Sequence, residues 1–106
     1  MITIDDLSKV EIKVGEVLTA GPVDGSEKLL KLEVDFGEEK RQILSGIAKY
    51  YSPEELVGKK TIFVTNLEPR QMMGLESNGM LLASGTEDSI ILLEPNQEIP
   101  NGSKLG

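Results

Sequence analysis

The sequence predicts a mainly β domain, a five-stranded barrel with a short helix between the third and fourth strands and an extra strand near the C-terminus. Three observations favour this class. Apolar residues recur at every second position in several segments, which is typical of strands with one buried face. Only short segments carry helix start signals, and clusters of Gly, Pro, Asn and Asp separate the elements. With 106 residues the chain can build one hydrophobic core, so a single domain is expected.

The first segment of the chain predicts a helical turn followed by a strand. Thr3 and Asp6 have the spacing of a capping box, which favours a short helix over residues 5–10. The apolar residues of "VEIKV", at positions 10–14, alternate with charged ones and predict a strand. Gly15 is expected to mark a bulge, after which the strand continues.

The next two strands are predicted as a hairpin. In "KLLKLEVDF" the side chains of Leu30, Leu32, Val34 and Phe36 fall on one face, and charged residues fall on the other. "GEEK" supplies the turn, and "RQILSGI" returns as the third strand.

A short helix and three more segments complete the predicted order. In "YSPEELVGKK", Ser52 and Glu55 have capping-box spacing, Pro53 suits the first helical position and Gly58 ends the helix. "KTIFVTNL" and "GMLLAS" are the fourth and fifth strands, joined by a stretch that Gly and Pro mark as a loop. Three strands, a helix and two strands is the order of the OB-fold barrel. "SIILLEP" is a surplus sixth strand.

The residue inventory excludes most catalytic chemistry. The chain contains no cysteine and no histidine, which removes thiolate nucleophiles, the commonest general base and the commonest metal ligand. It has no phosphate-binding loop of the Walker type, and its paired acids lie at turns or helix starts, where capping accounts for them. We therefore expect no catalytic residue, no metal site and no cofactor. The domain by itself is not expected to be an enzyme.

Hydropathy and charge set the expected surroundings. The longest apolar runs fall far short of the roughly 20 residues that a membrane span needs, and Met1 is not followed by a secretory signal. A cytoplasmic domain without membrane contact is expected.

The formal net charge is −7, yet residues 28–70 carry eight of the eleven basic residues. Folding can gather these bases on one face, and a solvated surface of mixed charge is the alternative.

Three segments, "VGEVLTAGPVDGSEKLLKLEVDFG", "KRQILSGI" and "GKKTIFVTNLEPRQMMGLESNGMLLAS", together resemble the tRNA-binding domain at the C-terminus of methionyl-tRNA synthetases. The resemblance covers nearly the whole chain. It implies a non-catalytic domain that binds tRNA by shape and raises the tRNA affinity of a separate catalytic body, in cis or in trans. Related domains occur as free-standing tRNA-binding proteins, so either arrangement is open.

The resemblance and the central bases together predict an RNA-binding surface. Folded RNA is recognised mostly through phosphate and 2′-hydroxyl contacts, so scattered basic and small polar groups suffice, and Phe36 and Phe63 are expected in the core. "LESNGM" is similar to the family segment whose Ser and Met, three residues apart, are implicated in tRNA binding. The expected residues are Lys28, Lys31, Lys40, Arg41, Arg70, Ser77, Asn78 and Met80.

Most of these residues also have a structural explanation. The lysines can serve as a solvated outer face, and Arg41 has an acidic neighbour, Glu39, with which it can pair. Ser77 can cap a turn, and Met80 can open a buried strand. Family members often carry a second basic residue after the position of Arg70, where this chain has Gln71, which weakens the electrostatic attraction there.

The chain ends predict a homodimer. Residues 90–93 are four consecutive aliphatics, of which a strand can bury only alternate members against its own core. In the family that the chain resembles, the two chain ends form such an interface, and the expected residues are Ile2, Ile4, Leu7, Ile91, Leu93, Pro95 and Ile99. Barrel residues are expected over about 10–85 and dimerising ends over about 1–9 and 86–106. Two alternatives stay open: residues 90–93 seal their own barrel, or the domain is purely a dimerisation module with little RNA affinity.

Overall fold

A computed structural model describes all 106 residues, and its elements are mainly strands, as predicted. Both helices are single turns. In chain order the elements are α1 (Ile4–Leu7), β1 (Ile12–Pro22), β2 (Leu30–Asp35), β3 (Lys40–Ser45), α2 (Pro53–Leu56), β4 (Lys60–Val64), β5 (Arg70–Met72), β6 (Leu75–Ser77), β7 (Met80–Leu81), β8 (Ala83–Gly85) and β9 (Ile90–Leu92).

The main sheet has five antiparallel strands in the order β3-β2-β1-β4-β7. The long strand β1 pairs with β4 through its first half and with β2 through its second half, so one strand serves both walls of the barrel. The helix α2 lies between β3 and β4 in the chain. The predicted five-stranded OB-fold barrel is therefore confirmed. β8 and β9 form a separate hairpin, which supplies the predicted surplus strand.

The core lies inside this barrel and combines alternate residues of β2 with Val17 of β1, Ile43 of β3, Leu56 of α2 and Phe63 of β4. As predicted, Leu30, Leu32, Val34 and Phe36 are all buried on the inner face of the second strand. The rings of Phe36 and Phe63 meet edge to face with centroids 5.5 Å apart, so both phenylalanines belong to the core, as expected.

Side chains close the seam of the barrel between β3 and the chain that enters β7. The buried Ser77 hydroxyl accepts a hydrogen bond from the Leu44 amide at 3.0 Å and donates one to the Gly79 carbonyl at 3.1 Å. The Asn78 amide donates to the Gln42 carbonyl at 2.9 Å. The barrel is nearly closed, and these contacts replace a regular strand ladder along the seam.

Gly15 does not mark a bulge, contrary to the prediction. It pairs with Thr61 in regular register, and the irregularity in β1 falls between Val17 and Thr19. A Cβ atom at Gly15 would lie 2.5 Å from the Val34 side chain and 2.7 Å from the Phe36 ring. The glycine is there because the core approaches the strand too closely for any side chain.

The predicted loop between the fourth and fifth strands contains a small hairpin. β5 and β6 pair from Arg70↔Ser77 to Met72↔Leu75 around a two-residue turn. Met73 and Gly74 occupy that turn with φ angles of 51° and 77°. Two-residue hairpin turns favour positive φ at both positions, and methionine is an uncommon residue there, so the local sequence signal for this turn is weak.

The C-terminal tail, which has almost no pattern in the sequence, lies along the start of β1. The Val14 amide donates to the Ser103 carbonyl at 2.8 Å, and the Leu105 amide donates to the Ile12 carbonyl at 2.8 Å. Gly102, with φ of 88°, approaches the Phe36 carbonyl so closely that a Cβ atom would lie 2.0 Å from it. The tail is thus an ordered part of the domain.

The N-terminal helix is shorter than predicted, and its cap is as predicted. α1 begins after Thr3, whose hydroxyl accepts a hydrogen bond from the Asp6 amide while the Asp6 carboxylate accepts one from the Thr3 amide. None of the four helical residues is buried in the single chain.

No helix is long and apolar enough to cross a membrane, and no cluster of acidic side chains is arranged to hold a metal ion.

Hydrogen bonds to carboxylates lower three pKa values in the folded chain. The Thr65 hydroxyl donates to Glu11 at 2.6 Å and holds the pKa of that carboxyl below its ordinary value. The Ser52 amide, as donor to Glu55, lowers the pKa of Glu55, and the Thr3 amide does the same for Asp6. Each carboxylate is therefore stabilised in its charged form by folding.

We predict that Gly15→Ala destabilises the domain by roughly 1–3 kcal/mol, because the added methyl overpacks the core beside Val34 and Phe36. Gly21→Ala is the matched control on the same strand, since a Cβ atom there meets nothing within 4 Å. Urea unfolding of both variants measures the difference. Equal stability of the two variants would contradict the packing explanation.

We predict that the stability of the domain falls on acidification below about pH 4.5, the ordinary value for glutamate. A carboxyl whose pKa is lowered by folding stabilises the fold above its unfolded pKa, and this contribution disappears as the pH falls through the folded pKa. Glu11→Gln should be less stable than the wild type at pH 7, with a gap that closes at low pH. Thermal melts across this range measure the gap, and a gap that widens on acidification would contradict the assignment.

Candidate nucleic-acid interface

The basic residues divide into a paired group and an unpaired group. Five of the eleven form ion pairs with nearby carboxylates, namely Lys9, Lys13, Arg41, Lys59 and Lys60. The other six make no ion pair, and five of these belong to the central segment: Lys28, Lys31, Lys40, Lys49 and Arg70. Of the five basic residues predicted to bind RNA, four are therefore unpaired, and Arg41 is paired with a carboxylate.

Two of the unpaired lysines border a groove on the outer face of β2 and β3. Lys31 and Lys40 line it together with Arg41, Glu33 and polar side chains, and its volume is about 430 Å³. In the register of the hairpin, Glu33 lies opposite Gln42, and Asp35 lies opposite Lys40. Of its three basic side chains, Arg41 is paired with Glu39, so Lys31 and Lys40 are the free cations of the groove and Glu33 is its one acidic side chain.

A second groove continues from the first toward the loop between β4 and β7. Its volume is about 460 Å³, and it lies between the start of β3 and the loop. Its lining residues include Gln42 of β3 and Leu67, Pro69 and Asn78 of the loop. Lys40 and Arg41 line both grooves. Arg70 follows Pro69 directly and is exposed at the start of the β5–β6 hairpin.

Two further unpaired bases of the central segment lie close together, Lys28 in the loop between β1 and β2 and Lys49 between β3 and α2. The Lys28 carbonyl accepts a hydrogen bond from the Ala48 amide at 2.9 Å, which brings Lys28 beside the segment that carries Lys49. The same loop approaches the tip of the β5–β6 hairpin, because a Cβ atom at Gly25 would lie 3.0 Å from the Met73 methyl. Lys49 is not among the predicted residues, and the one signal for it in the sequence is its position between the third strand and the helix.

Arg41 occupies the seam of the barrel and is not a free cation. Its guanidinium pairs with Glu39 at 2.7 Å and donates to the carbonyls of Thr65 and Asn78, the latter at 3.3 Å. It also lies over the Phe36 ring at 6.0 Å from the centroid. In the free chain Arg41 thus makes the local ion pair with Glu39 that the sequence indicates as the competitor of RNA binding.

The residues of "LESNGM" take three different environments. Ser77 is only 2% exposed, and its hydroxyl bonds to the Leu44 amide and the Gly79 carbonyl, so it makes the structural contacts that the sequence allows as the alternative to RNA binding. Asn78 is half-buried and donates to the Glu76 carboxylate at 3.2 Å. Met80 is 46% exposed, so it does not open a buried strand. Of the segment's pair, Met80 offers a side chain to a ligand directly, and Ser77 shapes the backbone around it.

The paired lysines of β4 and its approach face the C-terminal tail. Lys59 forms an ion pair with Glu94 at 2.9 Å, and this hydrogen bond raises the pKa of Lys59. Lys60 donates to the Ile99 carbonyl at 2.6 Å and lies 3.9 Å from Glu98. Acidic residues of the tail thus form ion pairs with two of the eight central basic residues, away from the grooves on β2 and β3.

A second surface, at the chain ends, is apolar. α1 and the end of the tail enclose a groove of about 400 Å³, lined by Ile4, Leu7, Val10, Ile12 and Leu105 among others. Ile4 is 82% exposed, and Ile2, Leu7, Val10 and Leu105 are exposed as well. Two of the predicted interface residues therefore share this groove. The prediction omits Val10 and Ile12, which it assigns to the first strand, and Leu105, because no local pattern marks the last residues of the chain.

β9 divides its aliphatic residues between two faces, as predicted. Ile90 and Leu92 pack against the core, while Ile91 and Leu93 are each 49% exposed. The alternative that residues 90–93 seal their own barrel therefore accounts for only Ile90 and Leu92. Pro95 and Ile99, the other predicted interface residues of the tail, are half-buried by the chain itself.

Comparisons with known proteins agree with this geometry. The family described as "Putative tRNA binding domain" matches residues 12–104. The methionine–tRNA ligase of Caldanaerobacter subterraneus is 56% identical over 104 residues, which are 98% of this chain and 16% of the relative. The methionine–tRNA ligase of Thermotoga maritima is 53% identical over a segment of the same extent. The chain therefore spans about a sixth of the length of these relatives.

Solved structures with the same fold include proteins of similar size. A MetRS-related protein from Pyrococcus horikoshii has a TM-score of 0.94 and 44% identity, with coverage of 100% of this chain and 98% of that one. The chaperone CsaA from Bacillus anthracis has a TM-score of 0.91 and 32% identity, with coverage of 100% and 99%. From the family match over most of its length and these relatives, the chain belongs to the tRNA-binding domain family.

Proposed function

We propose that this chain is a non-catalytic domain that binds tRNA by its shape and backbone, and that it raises the tRNA affinity of a methionyl-tRNA synthetase catalytic body in the cytoplasm. The observation that carries the proposal is the distribution of unpaired bases. Five of them border β2, β3 and the adjoining loops, which is the face that OB-folds use for nucleic acids. The catalytic body is either joined to this domain in one chain or a separate subunit.

The chemistry of this face suits phosphate and sugar contacts better than base stacking. Both phenylalanines are in the core, and Tyr51 donates its hydroxyl to the Ile90 carbonyl at 2.8 Å, so only Tyr50 is an exposed aromatic residue. Single-strand binders of this fold depend on several aromatic platforms. Lys31, Lys40 and Arg70 instead offer cations that can follow a phosphate backbone of fixed shape.

We further propose a symmetric homodimer in which the apolar groove of the chain ends and the exposed residues of β9 are covered by a second copy. Five of the seven predicted interface residues are exposed in the single chain: Ile2, Ile4, Leu7, Ile91 and Leu93. A dimer would place two basic faces on one particle, which raises the effective affinity for a large folded RNA despite the modest charge of each chain.

Two other functions use the same apolar surface. A pure dimerisation module would form the dimer and bind no RNA at any salt concentration. Binding of unfolded polypeptides is favoured by the similarity to the chaperone CsaA and by the exposed groove at α1. Suppressed aggregation of a denatured client protein in the presence of the domain would support this second function. RNA binding that is insensitive to salt would contradict the proposal that the domain binds phosphates.

We predict that Lys31→Glu and Arg70→Glu weaken binding to many tRNAs alike and lower the slope of log affinity against log salt by about one for each phosphate that the variant no longer binds. Filter binding over a range of salt concentrations gives the slopes. Lys9→Glu is the charge-matched control, because Lys9 lies in the N-terminal segment and pairs with Asp6. Unchanged slopes in both test variants, or preference among tRNAs by anticodon, would contradict the proposal.

For the dimer, we expect wild-type domain to sediment as a dimer at micromolar concentration, and Leu7→Glu or Leu93→Glu to sediment as monomers with the fold retained. A buried glutamate in an apolar interface costs far more than an exposed one. Val57→Glu is the matched control, since Val57 is equally exposed and lies at the end of α2. Wild-type domain of monomer mass would refute the interface.

A further inference from the structure

We propose that Arg41 is a positioning residue, which acts on RNA binding by holding the loop of residues 66–77 in place rather than by contacting phosphate. The inference rests on the proposed tRNA binding of this face. It differs from the expectation that the sequence gives for Arg41 as one of the central bases, which is a direct contact with RNA.

The guanidinium of Arg41 holds both ends of the loop at once. One terminal nitrogen, Nη1, donates to the carbonyl of Thr65, where the chain leaves β4, and to that of Asn78, where the chain enters β7. The segment between these two residues contains the β5–β6 hairpin and Arg70. The fixed planar fork of arginine can reach two carbonyls from one nitrogen while its other nitrogens bind elsewhere.

Glu39 fixes the opposite side of the guanidinium. Its carboxylate accepts from Nε of Arg41 at 2.9 Å and lies 2.7 Å from Nη2. Of the five N–H donors of an arginine, these contacts leave one for any ligand. The positive charge is also matched by the adjacent carboxylate, so Arg41 attracts phosphate weakly compared with its unpaired neighbour Lys40.

Neighbouring contacts extend the same attachment along β3. The Gln42 side-chain amide donates to the Glu76 carbonyl at 3.0 Å, and the Ser77 hydroxyl accepts from the Leu44 amide. All of these bonds join β3 to the returning end of the loop, and only Arg41 also reaches its outgoing end. The outgoing end of the loop keeps the hydrogen bonds of Thr65 and Asn66 with Glu11 and Lys9. Removal of Arg41 therefore releases this end from β3 and from the returning end of the loop, without detaching it from the start of β1. A loop whose two ends are no longer fixed to each other must be ordered at the expense of binding energy.

The experiment compares Arg41→Lys and Arg41→Met with Lys40→Met in tRNA filter binding across salt concentrations. Positioning predicts that both Arg41 variants lose affinity by roughly tenfold, the order of loss expected when a loop must be ordered on binding, with the salt slope unchanged. Lys40→Met is expected to lower the slope by about one. Retained affinity in Arg41→Lys together with a lowered slope in Arg41→Met would overturn the inference and assign Arg41 to phosphate.

Glu39→Gln tests the inference without altering Arg41, with Glu38→Gln as the control that removes the same charge from an unpaired neighbour. If Arg41 contacted phosphate, its release from Glu39 would raise tRNA affinity above that of Glu38→Gln. Positioning predicts affinity no higher than that of the control. A clear gain specific to Glu39→Gln would overturn the inference.

Amide hydrogen exchange of the free domain separates this inference from the proposed function. In Arg41→Lys and Arg41→Met, amides of residues 70–77 are expected to exchange faster, while core amides of β2 are unchanged. If wild-type domain fails to bind tRNA, the proposed function falls, and this exchange pattern alone decides whether Arg41 positions the loop. Unchanged exchange in residues 70–77 would overturn the inference.

Discussion

The fold depends on how the barrel closes its seam. β3 and the chain that enters β7 share no continuous ladder, so the seam is held by the Arg41 guanidinium, the Ser77 hydroxyl and the backbone contact between Asn78 and Gln42. A buried polar group must be satisfied to be tolerated, and here the satisfied groups also set the position of the loop beside the basic face. The same contacts therefore serve closure of the barrel and the geometry of the candidate site.

An acidic chain leaves several of its central basic residues unpaired because its ion pairs are unevenly placed. The tail acids pair with Lys59 and Lys60, and Glu39 pairs with Arg41, while Lys31 and Lys40 on the outer face of β2 and β3 stay unpaired. Net charge of −7 is thus a poor guide to local potential. The apolar groove at α1 and the tail lies on the chain ends, so the proposed dimerisation and RNA binding use different parts of the molecule.

Strand alternation makes most of the fold predictable. Leu30, Leu32, Val34 and Phe36 form a buried face that the sequence pattern indicates directly, and the capping box at Thr3 locates the first helix. The prediction for Gly15 is wrong, because a glycine at a close core contact and a glycine at a bulge look alike in one sequence. The role of Ser77 and the course of the tail depend on contacts between distant parts of the chain, which local patterns do not encode.

The most direct test of the account is a titration of isotope-labelled domain with unlabelled tRNA, followed by backbone amide shifts. We predict shifts and broadening at residues 28–33, 40–42 and 66–80, which border the two grooves on β3, and little change at Ile4, Leu7 and Leu105. Shifts confined to residues 1–10 and 86–106, or no change at low salt, would contradict the claim that the unpaired bases form the RNA-binding face.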